Sequence, residues 1–337
     1  MNTLWKDGVV FAESAAFVMR PTARTVFPAA EILAVRNPTL GIEYEAGRDY
    51  EFRPESGGIV RTEQSRIPTL NRGDLYPDKE TAVFFPAEGA NALPGGPDGG
   101  LIRFDQGDFF ARHQVEIDYR TEAELPELCA VPFPDLSGRS VKLAFLGDSI
   151  TAGFNSTARL QVPPFAPPYA TRLAEALRET KADLVWRNFA VGGTGCAHGA
   201  EHLDEFLAEF LPDWLVIAYG MNDLKNYPAE EFAARIDALA RDARKRNPAM
   251  KVFTVAAMPG NAEWEHVPPE NARAFAAALR KLEYPCIDVN TPWEKLFRNK
   301  SFIELTGNGV NHPNDYTYRF YAAVAEDRFR KELRHGA

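Results

Sequence analysis

The chain has 337 residues, of which 45% are hydrophobic and 25% charged, with a formal net charge of −9 at pH 7. That length favours two cores over one, and the acidic balance argues against a general nucleic-acid binder, which needs clustered Lys and Arg. The 3 cysteines, Cys129, Cys196 and Cys286, are an odd number without a CxxC pair, so no disulfide framework is expected. The opening stretch MNTLWKDGVVFAESAAF lacks a basic segment followed by an apolar one, so no signal peptide is expected. No run reaches the length of a membrane span, and a cytoplasmic protein without a membrane partner is the simplest expectation. Oligomeric state is not legible.

Residues 1–135 show few helical patterns. Short stretches rich in β-branched and aromatic residues recur at 8–11, 31–36, 41–44, 50–53, 58–62, 81–85, 101–104 and 114–119, with turn residues between them. Val115, Ile117 and Tyr119 alternate with Glu116, Asp118 and Arg120, the period of a half-exposed strand. About eight such strands predict a β-sandwich, jelly-roll-like in its spacing. Pro126, Pro132 and Pro134 then mark a linker. From Val141 the texture changes to strands alternating with helices. Strands are predicted at 143–146, 183–189, 214–219, 251–258 and 286–289. Helical faces are carried by Tyr169, Leu173 and Leu177, by Leu203, Phe206, Leu207 and Phe210, and by Phe232, Ile236 and Leu239. A last helix is predicted over 316–333. Such alternation predicts a parallel sheet with helices on both faces over 136–337.

Four loops of this second half fall after strands or before the closing helix: Gly147-Asp148-Ser149, Asn188 to Gly193, Gly220-Met221-Asn222-Asp223, and His312-Pro313-Asn314-Asp315. In a doubly wound sheet they come out on one carboxyl edge, where such folds bind ligands. Each meets a different need of acyl transfer. Ser149 offers a hydroxyl, which is weak until a base takes its proton. His312 is the candidate base, because its free pKa lies near working pH. The N–H groups of Ser149 and Gly193 and the side-chain amide of Asn222 are candidate oxyanion donors. Each part also has a plain structural reading. Ser149 or Thr151 is a helix N-cap, Gly192-Gly193 a turn, Asn222 a cap, and His312 a surface residue before proline. The four in this order are what favours the catalytic reading.

These motifs resemble the SGNH hydrolases of the GDSL esterase/lipase group, whose blocks are matched by Gly-Asp-Ser149, Gly193, Gly220-Met221-Asn222-Asp223 and His312. The resemblance runs from about Val141 to the C-terminus. It implies a flavodoxin-like three-layer α/β/α domain, ester hydrolysis through a serine acyl-enzyme, and no metal or organic cofactor. One departure stands out. The family usually places an aspartate three residues before the histidine, and here that position is Gly309. Candidates to orient the ring are Asn308, Asp315, a backbone carbonyl (leaving a Ser149–His312 dyad) or a carboxylate from elsewhere. Asp315 also reads as a cap of the final helix.

A β-sandwich followed by such a domain resembles the two-domain carbohydrate esterases of family two. It implies an acylated sugar or oligosaccharide as partner and removal of small acyl, chiefly acetyl, groups. The alternatives are a non-catalytic carbohydrate-binding protein on a degenerate scaffold, and an acyltransferase. The Pro-rich run from Val162 to Tyr169 is a candidate pocket wall and Trp264 a candidate sugar platform, with ordinary packing as the competing reading of each. His198 and His202 are four residues apart but lack a third ligand in sequence, so no metal is expected.

Overall fold

The computed structural model describes residues 3–334. Among the described residues, ten strands lie before residue 122: β1 (Trp5–Lys6), β2 (Val9–Val18), β3 (Thr22–Arg24), β4 (Ala29–Arg36), β5 (Tyr50–Arg53), β6 (Gly58–Arg61), β7 (Thr69–Leu70), β8 (Ala92–Pro94), β9 (Leu101–Arg103) and β10 (Gln114–Thr121). One sheet runs β1-β2-β10-β4 with β7 added parallel to β2, a second runs β3-β6-β5, and β8-β9 form a ribbon. The alternation read in β10 is real: Val115, Ile117 and Tyr119 are fully buried, in a core shared with Val10, Phe17, Val35, Ile59 and Ile67. Two predicted strands are not formed. Residues 41–44 and 81–85 make only single bridges, Arg36 to Glu43 and Phe84 to Ala92.

β2 is much longer than predicted because its polar residues are satisfied at a distance. The Glu13 carboxylate accepts from the Tyr119 hydroxyl at 2.6 Å and from Val26 N at 2.9 Å. Lys300 Nζ lies 2.9 Å from Glu13 and 3.2 Å from Glu304, and these three side chains are fully buried. Lys300 also donates to the Arg24 carbonyl at 2.8 Å. This cluster pins the first sheet to the segment that leads to His312. Lys300→Met leaves the buried Glu13 carboxylate without its counter-charge, and leaves Glu304 with only the longer 3.9 Å approach of Arg20. It is expected to destabilise the protein by about 3–5 kcal/mol in urea unfolding, and a change under about 1 kcal/mol would show the cluster to be wet and weak.

The second half is a five-stranded, all-parallel sheet, of β11 (Ser140–Gly147), β12 (Asp183–Asn188), β13 (Trp214–Ala218), β14 (Lys251–Ala256) and β15 (Cys286–Asp288), in the order β12-β11-β13-β14-β15. In β11, Val141 and Leu143–Leu146 are buried, as a strand covered on both faces requires. β12 is an edge and is largely exposed. The helix Tyr169–Ala176 packs with the closing helix Asp315–Arg334, and Ala229–Arg246 packs with Pro269–Leu279. Right-handed crossovers put these pairs on opposite faces, giving three layers. Stacked rings lock them: Phe329 on Phe253 at 3.9 Å, and Phe232 on Phe275 at 4.1 Å. The order reverses at β11, which is where a ligand crevice is expected. Among the described residues, no helix is long and apolar enough to cross a membrane.

Candidate active site

β11 delivers Ser149 to that crevice. The strand ends at Gly147, and the short helix Ser149–Ala152 follows at once. Its N-cap is Asp148, whose carboxylate accepts from Ile150 N at 3.0 Å. The capping read for Ser149 or Thr151 therefore falls one residue earlier, and the Ser149 hydroxyl is left for another partner. Burial pushes the Asp148 carboxyl up to about 7.

That partner is His312, whose Nε2 lies 2.9 Å from Ser149 Oγ. Both residues are buried, at 4% and 5% exposure. The His312 loop is shaped by Asn308, whose Oδ1 accepts from the backbone N–H groups of Val310, Asn311 and His312. Asn308 thus folds the turn and does not touch the ring. Asp315 does not touch it either, because its carboxylate accepts from Thr157 N at 3.0 Å and from Thr157 Oγ1 at 2.6 Å. Nor does Asp315 cap the last helix: Asn314 does, accepting from Thr317 N.

The residue on the far side of the ring is Asn155, with Oδ1 2.7 Å from His312 Nδ1. Sequence reasoning missed it. Its backbone φ of 60° is left-handed, a conformation asparagine tolerates better than most residues. Its side-chain Nδ2 faces three carbonyls: Asp105 O at 3.1 Å, Gly107 O at 3.2 Å and Gly307 O at 3.2 Å. Carbonyls only accept, so the amide nitrogen must point at them and Oδ1 must face the imidazole. An acceptor there requires the proton on Nδ1. Nε2 is then bare and accepts from the Ser149 hydroxyl, the arrangement a general base needs. Burial, and after it the nearby Arg159 cation, pushes the imidazole down to about 3, so the ring is neutral at working pH.

Gly309 sits where the resemblance expects an aspartate, and the fold forbids one. Its φ is +83°, and a Cβ there would lie 2.4 Å from Phe110 Cζ. Phe110 comes from the β-rich half, as do the carbonyls of Asp105 and Gly107. Further bonds seal the same seam. Gln114 Nε2 donates to Ile303 O and Thr306 O, and Asn314 Nδ2 donates to Ser14 Oγ and Gln114 Oε1.

Beside the Ser149 N–H after β11, the other two oxyanion candidates stand on the loops after β12 and β13. Gly193 is exposed, with a φ of +79°, a region L side chains rarely adopt. Asn222 donates one amide hydrogen to Thr194 O at 2.9 Å, which fixes the group and leaves the second N–H available. Asp223 accepts from Cys196 N and ties the two loops together. Trp264 belongs to the seam: its Nε1 donates to Pro94 O and its ring packs with Ile102, Phe104 and Val310. The rings of His198 and His202 lie 4.4 Å apart between centroids, tilted by 48°. Among the described residues, no group of three or more His, Cys, Asp or Glu is placed to hold a metal.

The chain was also compared with known proteins. No curated protein sequence matches it. Several solved structures are similar over part of the chain. One is a catalytic mutant of Axe2, an acetylxylan esterase from Geobacillus stearothermophilus, at 17% identity and a TM-score of 0.46, covering 57% of this chain and 95% of that one. Another is a two-domain esterase active on acetylated mannans, at 21% identity and a TM-score of 0.46, covering 58% of this chain and 50% of that one. A third is LAE5, an alpha/beta hydrolase enzyme from the metagenome of Lake Arreo, Spain, at 16% identity and a TM-score of 0.46, covering 57% of this chain and 95% of that one. These likenesses are too distant to carry residue roles or substrates. The sequence profile of one family, by contrast, spans residues 145–320, from the strand before Ser149 to beyond His312. By that match over half its length, the chain belongs to the GDSL-like lipase/acylhydrolase family.

Proposed function

We propose that the protein is a serine esterase that removes small acyl groups, chiefly acetyl, from carbohydrates through an acyl-enzyme. The observation that carries this reading is the 2.9 Å contact between Ser149 Oγ and His312 Nε2. His312 takes the serine proton as Oγ attacks the ester carbonyl, and the oxyanion is met by the N–H groups of Ser149 and Gly193 and by the Asn222 amide. The protonated ring then gives its proton to the leaving sugar hydroxyl. Water, activated by the same imidazole, hydrolyses the acyl-serine. Asn155 keeps the ring in its Nδ1–H form throughout.

The burial of Ser149 supports a short acyl group. Exposed rings support a sugar on the leaving side. Phe165, 54% exposed, lies in the segment packed on Thr157, and Phe85, 49% exposed, edges Phe104 beside the His312 loop. In this reading the chain has two domains, a jelly-roll-like sandwich over 1–135 and the hydrolase over 136–337. The sandwich wall, through Asp105 and Gly107, is part of the site. The free cysteines suit a cytoplasmic location. The test combines acetate release from acetylated xylo-, manno- and gluco-oligosaccharides with trapping by a fluorophosphonate. The expected result is release from at least one series, and a single adduct on Ser149 by peptide mass spectrometry that blocks it. Sugar binding with neither release nor adduct would favour the non-catalytic alternative.

A further inference from the structure

Arg159 stands at the rim of the site. It is exposed, at the end of the short helix Thr157–Leu160, and among the described residues no carboxylate pairs with it. Its guanidinium carbon lies 4.1 Å from the centroid of the Phe154 ring. That ring meets His312 edge-on, with centroids 5.5 Å apart. The same ring closes on the oxyanion loop, since a Cβ on Gly192 would fall 2.8 Å from Phe154 Cζ. Phe154 is itself held by the Tyr318 hydroxyl, which donates to its carbonyl at 2.7 Å. One anchored aromatic ring therefore carries a cation to the side of the catalytic imidazole and of the loop that carries Gly193.

For a neutral substrate this cation is a handicap. The reaction must form an imidazolium on His312, and Arg159 already disfavours positive charge there. The handicap disappears if the substrate brings an anion. We propose that Arg159 binds a carboxylate of the substrate, so that the preferred esters are acetylated acidic sugars, with the carboxylate close to the acetylated hydroxyl. The proposal rests on the esterase reading above and narrows it. Resting over the Phe154 ring restrains the guanidinium, so its fork meets a carboxylate with less ordering left to do. The bound carboxylate also offsets the field of Arg159 on His312, so the gain falls on kcat as well as on KM. The chain's net charge of −9 repels acidic glycans at long range, which leaves this local contact to decide the preference.

The test compares monoacetylated methyl glucuronoside with monoacetylated methyl glucoside, with 4-nitrophenyl acetate as reference ester. The wild type is expected to favour the glucuronoside by roughly tenfold in kcat/KM. In Arg159→Met the ratio is expected to fall to about one, while Arg159→Lys keeps part of it, as a point charge without the fork. The ratio is read within each variant, so a general loss from disturbed Phe154 packing does not move it. Equal rates on the two sugars in the wild type, or a preference that survives Arg159→Met, overturns the proposal and leaves the esterase reading standing. Hydrolysis of 4-nitrophenyl acetate without release from either sugar overturns the substrate class and the proposal with it. If none of the three esters is hydrolysed, the esterase reading itself falls, and the proposal falls too.

Discussion

Ser149→Ala and His312→Ala are each expected to lower kcat on 4-nitrophenyl acetate by about 10⁴–10⁶, and the double variant by no more than the worse single. The reason is the shared proton. At 2.9 Å the hydroxyl and Nε2 form one device, and removing either half removes all of it. What remains after either change is the oxyanion donors, which act on the carbonyl without the serine. KM is expected to change little, because neither group is needed to seat the ester. Stopped-assay kinetics on the three variants gives the answer. Losses that multiply in the double variant would mean that the two residues act in separate steps, and the proton transfer derived from their contact would be wrong.

Asn155→Leu is expected to lower kcat by about 10²–10⁴, the range seen when a base loses its orienting partner. It also strips the carbonyls of Asp105, Gly107 and Gly307 of a donor, so stability falls by about 1–3 kcal/mol. Acidic replacements test the idea from the other side. Asn155→Asp puts one carboxylate oxygen on the ring and the other against three carbonyl oxygens. Despite supplying the charge that the family usually has, it is expected to be slower by about tenfold or more and less stable than wild type. Gly309→Asp forces a side chain into left-handed backbone and into Phe110, and it is expected to disturb the interface and not to rescue activity. Activity above wild type in either acidic variant would show that an asparagine at this place is a handicap and not a designed fit.

The parallel half was largely legible in the sequence. Buried strands such as β11 read as apolar runs, and Phe232, Ile236 and Leu239 recur at helical spacing on a buried face. Local pattern suffices there because the layers are stacked along the chain. The β-rich half was less legible. Glu13 and Ser14 break the apolar pattern of β2, and only a tyrosine and a lysine far along the chain make Glu13 acceptable inside. Residues 41–44 and 81–85 have strand composition but find only one bridging partner each.

At the candidate site, the meeting of Ser149 and His312 was legible, as a serine directly after a strand and a histidine before the last helix. Asn155 was not. A sequence signal did exist: an asparagine following Gly153 and Phe154, six positions after the serine and suited to left-handed backbone. Nothing local says that its amide will be caught by carbonyls at 105, 107 and 307. Asn308 was the nearer and more tempting candidate, but its side chain is consumed by the turn it builds.

The central claim is that a neutral asparagine, locked by three carbonyls, keeps His312 in its Nδ1–H form with a bare Nε2 toward Ser149. Nitrogen-15 NMR of the His312 ring, followed through a pH titration of the intact protein, measures this directly. The prediction is a protonated Nδ1 and an unprotonated Nε2 at neutral pH. The ring should stay uncharged well below the ordinary imidazole midpoint near 6.5, since burial holds it down at about 3. An Nε2–H tautomer, or an imidazolium already formed at about pH 6, would contradict the account.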